Sequence, residues 1–114
     1  MSDDAIDMKE VLERVQDDRE LLIELLQIFS EDYAQKKKRL DDAVIKNDFE
    51  QVRDIAHGFK GASGNISAKK LRISFTDLGQ MAKDRDFSKA KETLDLIDAQ
   101  FNELQDFVEK NLKK

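Results

Sequence analysis

A chain of 114 residues with 39% apolar and 39% charged side chains, four Gly and no Pro has the make-up of one domain built from long amphipathic helices, and leaves no room for a second catalytic domain. The absence of Cys excludes a disulfide framework and a thiolate zinc site, and a net charge of -5 argues against binding to a nucleic-acid backbone, which rests on clustered Lys and Arg. No apolar run approaches the roughly 18 residues that span a bilayer, and the Met1-Ser2-Asp3-Asp4 start lacks the basic and apolar regions of a secretory signal, so a cytoplasmic protein with no membrane or nucleic-acid partner is expected.

Met8, Val11, Leu12 and Val15 recur at helical spacing and predict a short first helix over about 7–15, a lid on a larger bundle. Asp17 and Glu20 have the spacing of a capping box. Leu22, Leu25, Leu26, Phe29, Tyr33, Leu40 and Val44 then continue one apolar stripe, which predicts a long helix over about 18–46. Its Lys36-Lys37-Lys38-Arg39 run reads as a solvated face, with a steering role as the minor alternative. Asn47 and Asp48 break this helix, and Asp48 with Gln51 repeats the capping-box spacing to open a third helix over about 48–65. Ser67 is expected to cap a fourth helix over about 68–83, with the stripe Leu71, Phe75, Leu78 and Ala82. Asp84-Arg85-Asp86 reads as the next turn. Phe87, Ala90, Leu94, Ile97, Phe101, Leu104 and Val108, spaced by three and four, predict a last helix over about 87–111. Four substantial helices joined by short polar turns imply an all-α fold, an antiparallel up-down-up-down four-helix bundle with the short N-terminal helix added, in a single domain over 1–114.

The chain has one His, and it lies in the third helix. With His57 set at zero and successive residues turned by about 100°, Phe49, Val52, Ile55, Ala56, Phe59, Ser63 and Ile66 gather on one side, centred roughly 150° away. Arg53, Lys60, Gly61 and Gly64 lie within about 60° of it, so the imidazole faces away from the core stripe of its own helix. A lone His is most often a surface or half-buried residue with no task. Its neighbours change the weighting, because each Gly inside a helix costs about 1 kcal/mol relative to Ala and two stand on the His57 face. Bare backbone beside an imidazole lets another protein approach the ring closely. Gly64 could instead begin the helix end, a reading that covers Gly61 less well. Lys60, one turn along, would offset negative charge on a group carried by the ring, although exposed Lys is commonplace on helices.

The stretch Ala56-His57-Gly58-Phe59-Lys60-Gly61-Ala62-Ser63-Gly64-Asn65-Ile66 resembles the signature of histidine phosphotransfer (HPt) domains, in which His is followed three residues later by Lys, then Gly, then a small residue at the next turn. The apolar framework continues through Ala68 and Leu71. The resemblance implies a helical bundle in which His57 is phosphorylated, Lys60 assists electrostatically, and Gly61 and Gly64 make room for a receiver domain, with Arg53 and Gln80 also on the docking surface. Two departures stand out. Ser67 occupies a position where the family often has Gly, and Gly79 one where many members place a Gln or Glu near the phosphorylated ring; Gln80, next to it, could substitute in part.

The implied activity is relay of a phosphoryl group between aspartates of receiver domains, on response regulators or hybrid kinases, in two-component signalling. No cofactor is expected on this chain, Mg²⁺ being expected on the receiver partner, and a monomer is expected. There is no Gly-rich phosphate loop or Walker pattern, so no autonomous kinase activity is expected either. Met1 and the short length lean toward a free-standing protein. The main alternative is a non-catalytic helical adaptor that binds a partner through a helix face with His57 incidental. A di-iron bundle would need Glu-x-x-His pairs on two helices and is remote with one His.

Overall fold

Each apolar stripe becomes a helix in the computed structural model, which describes residues 5–112; the acidic start at residues 1–4 lies outside them. The helices are α1 (Met8–Arg14), α2 (Arg19–Ile45), α3 (Phe49–Asn65), α4 (Lys69–Lys83) and α5 (Ala90–Asn111), with no strand among the described residues. Packing runs α2 to α3, α3 to α4, α4 to α5 and back from α5 to α2, so the four long helices close a ring, and α1 lies against α2. Short turns make consecutive helices antiparallel. At about 1.5 Å per residue the 27 residues of α2 span about 40 Å, which accounts for the 41 Å long axis of the molecule.

The core is the sum of the four inward stripes, with Leu22, Leu26, Phe29, Val52, Ile55, Leu71, Leu78, Ile97 and Leu104 buried in one apolar cluster. At its centre the Phe59 ring meets Phe29 at 5.9 Å, Tyr33 at 5.6 Å and Phe75 at 5.1 Å between centroids, so rings from three helices fix the rotation of α3. His57 lies two residues, or about 200°, from Phe59, and the packing that draws Phe59 inward therefore turns the imidazole outward. Tyr33 also packs on Phe101 at 4.3 Å and donates its hydroxyl to Asp98 at 2.5 Å; burial first, and Asp98 second, push the phenol well above its ordinary range.

All four helix-to-helix junctions share one device. The residue after the C-cap has a left-handed backbone, at Gln16 (φ 54°), Asn47 (55°), Ser67 (56°) and Arg85 (55°). Its N–H and the next one return to the last turn, as in Ser67 N to Gly64 O at 3.1 Å and Ala68 N to Ser63 O at 2.9 Å. This is the Schellman arrangement, for which Gly is the usual residue, yet none of the four glycines occupies such a position.

Several local expectations are corrected. The α2 cap is Asp18, whose carboxylate accepts from Leu21 N at 3.0 Å, whereas Asp17 has φ 63° in the preceding turn. Asp48 does cap α3, accepting from Gln51 N at 3.2 Å. Ser67 does not cap α4. Its left-handed backbone closes α3, Ala68 holds the N-cap position without a side-chain bond, and the Ser67 hydroxyl donates to Glu10 Oε1 at 2.9 Å. The last helix begins at Ala90 rather than near Phe87, because the Asp86 carboxylate accepts from Ser88 N at 3.0 Å and holds that segment in a turn. In the basic run, Lys38 and Arg39 are exposed. Lys37 instead bridges to Asp98 of α5 at 2.6 Å, and Lys36 lies 5.7 Å from the Phe59 ring, because their stems cover the seam beside the aromatic cluster.

Candidate functional site

Once Asp48 starts α3 and Phe59 locks its rotation, every residue of the 56–66 stretch has a fixed direction. Ala56, Phe59, Ser63 and Ile66 are buried; Arg53, His57 and Gly61 are exposed; Lys60 and Gly64 are half-buried. Among the described residues His57 has neither a hydrogen-bond nor an ion-pair partner. A ring nitrogen lone pair that no neighbour occupies is available as a nucleophile.

The imidazole stands between two hollows along the α3–α4 seam. On one side His57, Lys60, Gly61 and Gly64 face Arg72, Ile73, Thr76 and Asp77 of α4, with Glu10 and Arg14 of α1 closing the far end. On the other side Arg53, His57 and Lys60 face Thr76, Gly79, Gln80 and Lys83. The structure thus brings Arg53, Lys60, Gly61, Gly64 and Gln80 around His57. It does not give Gln80 the role of holding the ring, since the Gln80 amide donates to Asp84 of its own helix at 3.0 Å.

The glycines separate by what surrounds them. A Cβ built on Gly58 or Gly61 would meet nothing within 4 Å. One on Gly64 would lie 3.6 Å from Arg72 Cδ, and one on Gly79 3.7 Å from Ala56 Cβ, both ordinary contacts. Gly64 is helical with a negative φ, and the left-handed position that ends α3 belongs to Ser67, so helix termination does not explain Gly64. Internal packing demands no glycine on this face.

Charge is uneven here. The two hollows are lined by six cationic side chains, Arg14, Arg53, Lys60, Lys69, Arg72 and Lys83, against two carboxylates, Glu10 and Asp77, in a chain of net charge -5. Lys69 is spoken for, at 3.1 Å from both Asp7 Oδ2 and Glu10 Oε2, and Arg14 Nη2 lies 3.5 Å from Glu10 Oε1. Those bonds hold both carboxyls below their ordinary range: for Asp7 the main cause is the backbone N–H of Glu10, then Lys69; for Glu10 it is the Ser67 hydroxyl, then Lys69. Together with Asp7 N donating to Ser67 O at 3.0 Å, they clasp α1 onto the α3–α4 junction. Arg53, Lys60, Arg72 and Lys83 have no carboxylate partner among the described residues.

Sequence reasoning missed Arg72, Thr76 and Lys83. The signal was present, because residues 72, 76, 80 and 83 gather on one side of α4, centred roughly 125° from the stripe of Leu71, Phe75, Leu78 and Ala82. What the sequence lacked was the knowledge that this polar side of α4 borders the His57 face of α3.

A family model described as the Hpt domain matches residues 24–107, about three quarters of the chain, and the match contains α3 and α4 whole. No curated protein and no solved structure matches the chain. Among the described residues no helix is long and apolar enough to cross a membrane.

Proposed function

The chain belongs to the Hpt domain family of histidine-containing phosphotransfer modules of two-component systems, and from that membership we propose that it relays a phosphoryl group between aspartates of receiver domains through His57. The observation that carries this reading is the exposed imidazole, which has no hydrogen-bond or ion-pair partner among the described residues, beside Lys60, likewise without a carboxylate among them, and the open space over Gly61.

In the forward step the Nε2 lone pair of neutral His57 attacks the phosphorus of a receiver aspartyl phosphate. The N–P bond forms as the acyl P–O bond breaks, the receiver carboxylate leaves with the electron pair, and the proton on Nδ1 stays with the ring. Attack by the carboxylate of a second receiver reverses these events and unloads the ring. Phosphoryl transfer asks chiefly for alignment and charge stabilisation, so this chain need contribute only the nucleophile, the Lys60 ammonium and a surface that lets the donor approach in line. The receiver brings Mg²⁺ and the other catalytic groups. Nothing in this division of labour asks the chain to bind a nucleotide.

The reading is tested by incubating the chain with a panel of receiver domains carrying labelled aspartyl phosphate. Label should pass to the wild-type chain as an acid-labile, alkali-stable adduct and should not pass to His57→Gln. Equal labelling of that variant would remove His57 from the proposal.

A further inference from the structure

We propose, resting on the carrier reading above, that Arg72 and Lys83 of α4 are specificity-determining residues that flank His57 from its two sides and dock a partner surface carrying clustered carboxylates. Arg72 lines one hollow and Lys83 the other, while His57 and Lys60 line both, so the two cations bracket the imidazole along the α3–α4 seam. Neither has a carboxylate partner among the described residues, although the chain carries 25 Asp and Glu and pairs Lys36, Lys37, Lys69, Lys70 and Lys110 with them.

Gly64 gives this arrangement a second support. The Arg72 stem passes over α3 where the missing side chain leaves room, its Cδ 3.6 Å from the place a Cβ would take. The floor of that hollow is therefore backbone overlaid by an arginine stem, with Ile73, 62% exposed, at its edge. An unpaired guanidinium on such a floor offers a planar set of donors for a bidentate carboxylate contact. Asp77 and Glu10 line the same hollow, and Glu10 is occupied by Ser67, Lys69 and Arg14. The positive balance around His57 inside an acidic chain selects an acidic protein face. Nucleic acid and anionic membrane are the competing anionic partners, and their charge extends beyond the cationic patch to meet the acidic remainder of the chain, whereas a compact protein face can meet the patch alone.

Cations at the rim of a docking site act mainly on the encounter rate and its salt dependence. The experiment measures transfer from the receiver that labels the wild-type chain fastest, at low and at high salt, for wild type, for Arg72→Glu with Lys83→Glu, and for Lys91→Glu as an exposed cation on α5. The double variant should lose about tenfold or more in kcat/KM at low salt, chiefly through KM, with the loss shrinking at high salt. Lys91→Glu should stay near wild type, and circular dichroism should show all three folded. Unchanged kcat/KM in the double variant, while the wild type accepts label on His57, would overturn this inference and leave the carrier reading standing. Failure of phosphoramidate, a small phosphodonor that needs no docking, to load wild-type His57 would overturn both. Tight, salt-sensitive binding to a DNA duplex or to phosphatidylserine vesicles in place of receivers would also overturn it.

Discussion

At the level of single residues, the decisive contrast is between Phe59 and His57, two positions apart and pointed in opposite directions by one helix. Phe59 is held by three aromatic neighbours, and no hydrogen bond or ion pair from the described residues holds His57. Gly61 shows the corresponding trade between stability and access. Since a Cβ there meets nothing within 4 Å, Gly61→Ala should stabilise the helix by about 1 kcal/mol and raise the melting temperature by several degrees, while slowing transfer from a phosphorylated receiver. Gly61→Leu should fold equally well and lose most of the transfer. Thermal melts and transfer rates on the same preparations check both, and a Gly61→Leu chain that still transfers at the wild-type rate would show that no partner approaches over that backbone. The direction of the imidazole is legible in the residue order, because the 100° helical turn alone separates His57 from the core stripe. The tie between Gln80 and Asp84 is not, because an exposed amide chooses among partners that spacing does not rank.

Among elements, the helices follow their apolar periodicity closely and the junctions do not. Burial of whole stripes is worth far more than one cap, so stripes survive as a signal while a cap can shift by a residue, as from Asp17 to Asp18. Ser67 is the instructive case. A Ser before a stripe suggests an N-cap, but the residue that follows a helix end can also be drawn into the left-handed region, and Ser67 lies there at φ 56°. Its hydroxyl bond to Glu10 and its carbonyl bond from Asp7 N then secure α1, which lies outside the matched span of the family. Ser67→Gly and Ser67→Ala both delete the hydroxyl bond, yet only Gly relieves the left-handed backbone. Chemical denaturation should therefore find Ser67→Gly more stable than Ser67→Ala by about 1 kcal/mol, and equal stabilities would contradict the left-handed assignment.

Across the whole molecule, the packing that stabilises the fold and the proposed transfer site occupy opposite sides of α3. The inner side joins all four long helices through the ring cluster, and the polar seam of Tyr33, Lys37 and Asp98 ties α2 to α5 beside it. Folding holds the Tyr33 proton above its ordinary range, through burial first and Asp98 second, whereas the unfolded chain releases it near pH 10. That stabilisation is complete below about pH 10 and declines as pH rises further, because the unfolded state then loses a proton that the folded state keeps. Tyr33 is the sole tyrosine, so tyrosinate absorbance should rise only as helical circular dichroism is lost, and tyrosinate forming near pH 10 in a fully helical chain would contradict the buried hydroxyl. The outer side presents an exposed imidazole with cations gathered around it in an acidic chain, the face proposed to meet a receiver. Phosphorus NMR of the chain after exposure to a phosphorylated receiver tests this most directly. One N-phosphoryl signal per chain, missing in His57→Gln, is expected; no such signal, or its persistence in that variant, would show that the phosphate is not carried on this ring.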